Sequence, residues 1–487
     1  MSQNKDDKGL SRRGFLGVTG AAAAAAAAAL PLLRGGSAAA APAGIGGWNG
    51  NQLLLVCADG GPIAQRALNG TLGAPGNPYG AGRPVWGNTH AMSGLVSQPP
   101  GGQLRATGMT IDGTVAGSHF GLDLAGDSIE AEFGVIRNFA SNVDGQSTGI
   151  TGAHENGRAW SCTGYAESDN KPGLGAIAAA IAQQSPAGTP FPACNLLNNN
   201  PFRQTGAELV GVNYLQFNSP QDATQLRDRL LMQTTSEAER ARLTGPSGLA
   251  RFMTRHFNDR VRSKDAGSVQ FSIDKVKEIE DKIRQNSAGL DPMNAINAPL
   301  WPFFGLDGSG RARAGINQQL AHSFLVAFRL LGLGAPVVSI GAGSFDFHAD
   351  ESPQLQSRFG TMMHGFFGVL RAARTKMYNV DIEKLACLEV GDFNRNNYNG
   401  SGFNGGNGAD HNGGDGMIQA VMFGGGGFGG KVYGDGLMDG GDQRKGSSVL
   451  LGRHALRTML EWYGGPSAGE RYFPGARNLW TDLKKPV

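Results

Sequence analysis

The chain has 487 residues, a net charge of +3, a hydrophobic content of 40% and a high number of glycines, 77. This length allows one large domain or two ordinary ones. No basic block interleaved with aromatic residues follows the amino-terminal segment, which excludes nucleic acid as an expected partner. The four cysteines form no CxxC pair, which argues against a zinc site built from thiolates.

The amino-terminal segment has the layout of a twin-arginine signal peptide. Arg12 and Arg13 precede an apolar, alanine-rich stretch that small residues follow. Pro31 and Arg34 interrupt this stretch, which is shorter than the roughly 20 residues of a membrane span. We therefore expect residues 1–43 to direct export through the twin-arginine translocase and to be removed. The product would be periplasmic or extracellular, without a stable membrane span; an uncleaved signal would instead leave it tethered.

The first predicted elements of the mature chain are two strands. A continuous apolar run at 52–57 is typical of a strand buried on both faces. A second strand is predicted at 133–137, with a polar loop from 138 to 158 after it. The alanine-rich segment 174–184 predicts a helix. Helical periodicity and i,i+4 charge pairs at 221–285 predict a solvent-facing helical insertion.

The second half repeats the alternation of strand and helix. A helix is predicted at 321–333, a strand at 336–340, a long helix at 353–376 and a strand at 385–390. The segment 394–414 is so rich in glycine and asparagine that it predicts a loop. This alternation predicts an α/β fold with a mostly parallel central sheet flanked by helices. Apart from the insertion, we expect the mature chain, residues 44–487, to form a single domain.

Acidic residues follow successive predicted strands. Asp59, Asp346 with His348, and Asp392 stand at carboxyl ends of strands, where ligands bind in sheets of this kind. Residues two apart in an extended segment face the same side, so Asp346 and His348 can converge on one ion. A further pair, Asp410 with His411, follows the glycine-rich stretch.

Carboxylates and imidazoles together suit zinc, manganese, iron or calcium better than a metal that prefers thiolates. A single aspartate after a strand is more often a turn former. Aspartates at the ends of several successive strands favour a shared site. The sequence therefore predicts a divalent-metal site formed by Asp59, Asp346, His348, Asp392, Asp410 and His411.

Other patterns are weaker. The segment 307–310 resembles part of a calcium loop but lacks the other ligands, so a turn is predicted. The glycines at 424–427 have no following Lys-Ser or Lys-Thr, which argues against a phosphate loop. His322 is expected at the beginning of a helix, in its capping arrangement, and His364 is expected inside a helix. Cys162 and Cys194 are one possible disulfide pair, although the cysteine count does not fix the pairing.

Five segments occur in a recognisable order along the chain. They are Ala58-Asp59-Gly60-Gly61, Phe345-Asp346-Phe347-His348, Asp392-Phe393-Asn394-Arg395, Gly408-Ala409-Asp410-His411 and Gly429-Gly430-Lys431-Val432-Tyr433-Gly434. In this order they resemble a family of uncharacterised bacterial proteins that are exported by the twin-arginine pathway and related by fold to alkaline phosphatases and sulfatases. The resemblance implies an alkaline-phosphatase-like α/β fold with metal ligands at the strand ends.

The resemblance also implies a nucleophile ahead of a Thr-Gly segment. Thr151-Gly152 matches that segment and makes Ser141 the candidate, with Ser147 and Thr148 as further candidates. A loop or capping hydroxyl is the alternative interpretation of Ser141. With a divalent metal, and with Arg395 holding an anionic ester as a bidentate donor, the implied activity is hydrolysis of phosphate or sulfate esters.

The chain also departs from the family pattern. Asp392 stands where the family has glutamate, and Asn394 and Asn412 stand where it has glycine. These changes favour an alternative hypothesis, a non-catalytic exported binding or assembly protein that retains the fold. Convergence of the predicted ligands would favour the enzyme, and an Asp410-His411 pair directed away from Asp346 and His348 would favour the scaffold.

Overall fold

The structure, a computed structural model, describes part of the chain. The described residues are 47–59, 132–140, 154–165, 169–185, 191–196, 200–203, 209, 212, 214–225, 286–345, 358, 360–391, 419–429, 432–433 and 450–484. The chain divides into two units, one of residues 1–40 with 224–287 and the other of residues 41–223 with 288–487. Nearly all the described residues belong to the second unit. The expected signal peptide, and the expected insertion beyond its first few residues, lie outside the described residues.

The described residues contain nine strands that form one sheet. The strands are β1 (Gln52–Asp59), β2 (Phe133–Ala140), β3 (Ala193–Leu196), β4 (Tyr214–Phe217), β5 (Val337–Ser344), β6 (Leu385–Gly391), β7 (Gln419–Gly425), β8 (Val432–Tyr433) and β9 (Leu450–Leu451). Their order across the sheet is β4-β3-β5-β1-β6-β7-β2-β8, and β9 also pairs with β2.

The sheet is mixed. β1 pairs in parallel with β5 on one side and with β6 on the other. β3 is parallel to β5 and to β4, and β8 and β9 are parallel to β2. β7 is antiparallel to both of its neighbours, β6 and β2. A mixed sheet with helices agrees with the α/β class predicted from the sequence.

The α-helices of the described residues fall in both halves of the chain. They are α1 (His154–Thr163), α2 (Leu174–Gln184), α3 (Gln318–Gly332), α4 (Gly360–Arg374), α5 (Gly452–Gly464), α6 (Pro466–Tyr472) and α7 (Trp480–Leu483). Short 3₁₀ helices span Asn200–Phe202, Pro220–Gln225, Ser287–Leu290, Ala295–Asn297, Trp301–Phe304, Met377–Asn379 and Ile382–Lys384. α2 is rich in alanine, which favours a helix and lets the helix lie close to its neighbours; its residues 174–182 are buried.

The core lies on both faces of the sheet. Alternate residues of β1, Leu53 and Leu55, belong to a cluster that includes the buried residues of α2 and α5. Leu54 and Val56 are equally buried but lie outside that cluster, because successive strand residues point to opposite faces. α3 packs on β5 and on α4. Burial of β1 from both sides explains its continuous apolar run.

The structure confirms the predicted strands at 52–57, 133–137, 336–340 and 385–390 and the helix at 174–184. The prediction of a polar loop at 138–158 is wrong at both ends, because β2 continues to Ala140 and α1 begins at His154. The first turn of α1 has the sequence His-Glu-Asn-Gly, which is polar and has the composition of a loop.

Candidate functional site

Asp59 ends the central strand β1 at the edge where the sequence predicts ligands. After a bulge that follows Cys57, Asp59 lies opposite Ser344 of β5, and its carbonyl oxygen accepts a 2.5 Å hydrogen bond from the backbone N–H of Phe345. On the other side, Ala58 lies opposite Gly391 of β6. The carboxyl ends of three neighbouring strands therefore meet beside Asp59.

Asp59 is the only one of the predicted site residues that the structure describes. Phe345 and Gly391 are described, and each directly precedes a predicted ligand, Asp346 and Asp392 respectively. The predicted residues outside the described part of the chain are Ser141, Ser147, Thr148, Asp346, His348, Asp392, Arg395, Asp410 and His411.

Arg158 forms an ion pair with Asp59. The guanidinium Nε lies 3.5 Å from the carboxylate Oδ1, and both side chains are about one-third exposed. A partly exposed pair of this kind contributes at most about 1 kcal/mol, because water screens it. Arg158 is the last residue of the loop predicted from the sequence and has no predicted role. Only the structure, which places it one turn into α1, brings it to Asp59.

Glu389 is a second functional candidate, which is not predicted from the sequence. It is fully buried in β6, three residues before Asp392, and its Oε2 accepts a 3.0 Å hydrogen bond from the backbone N–H of Met422. Its Oε1 is buried and has no hydrogen-bond partner among the described residues. Burial raises the pKa of Glu389 from 4.5 to about 8, although the Met422 bond opposes this. A glutamate inside an otherwise apolar strand was the available signal.

The four cysteines are buried and carry free thiols. Cys57 of β1 and Cys162 of α1 belong to the same core cluster. Burial raises the pKa of Cys57 well above its ordinary value, and the neighbouring Cys162 and the charge of Asp59 raise it further. The Sγ of Cys194, in contrast, lies 3.6 Å from the carbonyl oxygen of Pro192.

His322 does not take part in helix capping. It lies one turn inside α3, where the side chain of Asn317 caps the helix by accepting a hydrogen bond from the N–H of Leu320. His322 is buried, with its Nε2 2.9 Å from the carbonyl oxygen of Gly310. Burial lowers the pKa of His322.

His364 lies inside the helix α4, as predicted, and it is buried. Burial, together with the charges of Arg371 and Arg313, lowers its pKa to about 4. The neutral form of His364 therefore fills the interior between α4 and its neighbours at ordinary pH.

The turn predicted at 307–310 is confirmed. The Oδ1 of Asp307 accepts hydrogen bonds from the N–H and the hydroxyl of Ser309 and from the N–H of Arg311, which closes the turn. The glycines at 424–427 form the end of β7 and the turn after it. That turn lies at the opposite edge of the sheet from Asp59, beside the beginning of β6.

The described residues hold no cluster of three or more histidine, cysteine, aspartate or glutamate side chains that could bind a metal ion. They also include no helix that is both long enough and apolar enough to cross a membrane. Comparisons with protein-family models, with curated proteins and with solved structures gave no match.

Proposed function

We propose that the protein is an exported, metal-dependent hydrolase of phosphate or sulfate esters. The observation that carries the proposal is the meeting of three strand ends beside Asp59. β5, β1 and β6 are adjacent and parallel, and the family-like motifs at 58–61, 345–348 and 392–395 lie where these strands end. Ligand sites of parallel sheets lie at this edge.

The sheet supports an alkaline-phosphatase-like fold. Six of its eight strand pairings are parallel, and β7 alone among the described strands runs against its neighbours. The signal-like sequence of residues 1–43 supports export by the twin-arginine translocase to the periplasm or beyond.

The donor set fits a divalent cation. Phe345 and Gly391 lie beside the end of β1, and Asp346 and Asp392 follow them directly in the sequence. In the proposal these two carboxylates bind the cation together with Asp59, and zinc, manganese and calcium all accept carboxylate ligands. In the proposal His348, Asp410 and His411 complete the ligand set.

The proposal gives three residues a role beside the metal ligands. The bound metal would supply Lewis-acid polarisation of the ester oxygen. Ser141 is the proposed nucleophile, and Arg395 would orient the anionic group through bidentate hydrogen bonds. Arg158 places a positive charge at the same edge through its contact with Asp59, which would also favour an anionic substrate.

One observation favours the second candidate function, a non-catalytic binding or assembly protein. Asp59 already has an ionic partner in Arg158, 3.5 Å away, and a carboxylate so neutralised is a poorer metal ligand. In that alternative the ion pair is structural and ties α1 to the end of β1.

Metal content and hydrolysis decide between these functions. The mature protein, purified without chelator, is analysed for metal and assayed with p-nitrophenyl phosphate and p-nitrophenyl sulfate. A His348→Ala, His411→Ala double variant should lose both metal and activity. The control is His454→Ala, whose ring accepts a hydrogen bond from the Arg477 N–H in the carboxyl-terminal segment. Folded protein that stays metal-free after addition of zinc, manganese and calcium would overturn the hydrolase and leave the scaffold.

A further inference from the structure

A short hairpin, residues 305–313, precedes α3. Leu306 forms an antiparallel bridge with Ala312, and the turn closed by Asp307 lies between them. The tip of the hairpin is exposed, whereas Gly310, on its returning side, is buried. The hairpin therefore faces solvent at its tip and enters the interior at one glycine.

A buried histidine of α3 holds this hairpin. His322 is 1% exposed, and its Nε2 lies 2.9 Å from the carbonyl oxygen of Gly310. Because a carbonyl oxygen only accepts hydrogen bonds, Nε2 carries the proton of the neutral ring and donates it. The other ring nitrogen, Nδ1, is buried and has no hydrogen-bond partner among the described residues. The ring is therefore suited to one proton and has no acceptor for a second.

We propose that His322 is an acid-sensitive clasp, whose neutral ring holds the hairpin closed on α3 and whose protonation at Nδ1 releases it. A protonated ring carries an N–H at both nitrogens. In the closed state the second N–H would be a buried, charged donor without an acceptor, which is costly. Opening of the hairpin brings water to the ring and removes that cost. The proposal does not rest on the hydrolase function.

The direction of the pH response follows from the burial of the ring. Burial lowers the pKa of His322, and the Gly310 hydrogen bond and the charge of Asp291 oppose this to a smaller degree. In the open state the ring has its ordinary pKa of 6.5, so as pH falls below this value the open state takes up a proton that the closed state does not. Acid therefore favours the open hairpin, and the effect disappears above pH 6.5.

The charges on the neighbouring segments do not favour a second proton on the clasp. The ionisable groups there are Asp291 before the hairpin, Asp307, Arg311 and Arg313 in the hairpin, Arg329 in α3, and His364, Arg371 and Arg374 in α4, which packs on α3. Asp307 accepts hydrogen bonds within its own turn, and the guanidinium of Arg329 lies over the ring of Tyr378. Arginines outnumber carboxylates in this set, so protonation of the clasp adds to an excess of positive charge.

The clasp lies toward the edge of the sheet that ends in Asp59. α3 ends at Gly332 and β5 begins at Val337, so this short connection makes the helix run antiparallel to the strand on which it packs. His322 is near the beginning of α3 and therefore lies toward the carboxyl end of β5, where Ser344 is opposite Asp59. Release of the hairpin in acid would loosen the packing on this side of the candidate site.

The test follows amide hydrogen exchange of the full chain by mass spectrometry at about pH 7.5 and about pH 5, with labelling times adjusted for the slower chemical exchange in acid. We expect peptides from 305–313 to be protected at the higher pH and to exchange faster in acid, by at most about tenfold per pH unit below 6.5. Peptides from the buried elements β1 and α2 should keep their protection at both pH values.

Two variants make the test specific to the clasp. The side-chain amide of His322→Gln can donate to the Gly310 carbonyl oxygen but takes up no proton, so its hairpin should stay protected at both pH values. His454→Gln removes a different histidine, whose Nδ1 accepts the Arg477 N–H, and should respond to acid as the unmodified protein does.

Equal exchange of 305–313 at both pH values in the unmodified protein, or an acid response retained by His322→Gln, would overturn the proposal. If the hairpin of His322→Gln is open at both pH values, NMR of ring-labelled histidines in the unmodified protein decides. The His322 signal should titrate in step with the opening of the hairpin, and titration without opening, or opening without titration, would show that His322 is not the clasp.

Discussion

The Nε of Arg158 lies 3.5 Å from the Oδ1 of Asp59, so a helix contributes a cation to the carboxylate that ends the central strand. The two residues are 99 positions apart in the chain and meet because α1 lies against the end of β1. A guanidinium in this place competes with any metal ion for the carboxylate, and the same charge would favour an anionic ligand.

Removing Arg158 should strengthen metal binding if Asp59 is a ligand. We expect Arg158→Gln to bind zinc or manganese about five-fold more tightly, since a partly exposed pair contributes about 1 kcal/mol. Isothermal titration calorimetry of the metal measures this change. Asp59→Asn should weaken binding instead.

The matched controls come from the exposed pair of Arg477 and Asp482, whose charged atoms are 3.3 Å apart. Arg477→Gln and Asp482→Asn should leave the metal affinity unchanged. Unaltered affinity in both Arg158→Gln and Asp59→Asn would show that Asp59 is not a ligand.

Glu389 should make the protein less stable as pH rises. Its pKa is about 8 in the folded protein and 4.5 ordinarily, so the folded state holds a proton that the unfolded state has lost between these values. Folding then takes up a proton, and the free energy of unfolding falls by a few kcal/mol from pH 4.5 to pH 8 and levels off above. Glu389→Gln should therefore gain stability over the unmodified protein across this window.

Urea denaturation at about pH 5, 6.5 and 8 measures the Glu389→Gln effect. The glutamine side chain of this variant stays neutral, and its carbonyl oxygen can still accept the Met422 N–H. Glu383→Gln, at an exposed position just before the same strand, is the matched control and should change the stability only slightly. A Glu389→Gln difference that does not change with pH would contradict the buried, protonated carboxyl.

Gly425 should tolerate no side chain. Its φ is +71°, and a Cβ there would meet the carbonyl oxygen of Leu385. Gly475 has nearly the same φ, +69°, but open space around it. Gly475→Ala should cost only the backbone strain, about 1–2 kcal/mol, and Gly425→Ala should cost at least about 2 kcal/mol more because of the clash. Equal losses in chemical denaturation would contradict the close approach of β7 to β6.

A buried hydrogen-bond chain crosses three strands. The hydroxyl of Ser339 in β5 donates to the Oδ1 of Asn195 in β3 at 2.5 Å, and the Nδ2 of Asn195 donates to the Oε1 of Gln216 in β4 at 2.7 Å. Asn195→Ala should cost about 2–4 kcal/mol, because it leaves a cavity and a buried hydroxyl without its acceptor.

A double-mutant cycle of Asn195→Ala with Ser339→Ala isolates the hydrogen bond in this chain. We expect the double variant to lose about 1 kcal/mol less than the sum of the single losses. Gln216→Ala should cost less than Asn195→Ala, because Gln216 is half-buried. Additive losses of Asn195→Ala and Ser339→Ala would show that their hydrogen bond contributes nothing.

The strongest sequence predictions were those based on long apolar runs. β1, β5 and β6 are buried strands whose apolar sequence marks them without knowledge of their neighbours. β3 and β4 were not predicted, because they are four residues each and carry Asn195 and Gln216 at inward positions. Their polar residues are acceptable only because the neighbouring strands supply hydrogen-bond partners, which local pattern cannot show.

By itself the sequence determined the class of the fold, the identity of the buried strands and the presence of an aspartate at the end of β1, because these depend on local composition and period. Only the tertiary structure decided that β5 and β6 flank β1, that Arg158 meets Asp59 and that Cys57 and Cys162 belong to one core cluster. Each of these relationships joins segments about 100 or more residues apart in sequence. Such contacts arise from the order of strands in the sheet and from the side on which each helix packs, and neither leaves a periodic signal in the chain.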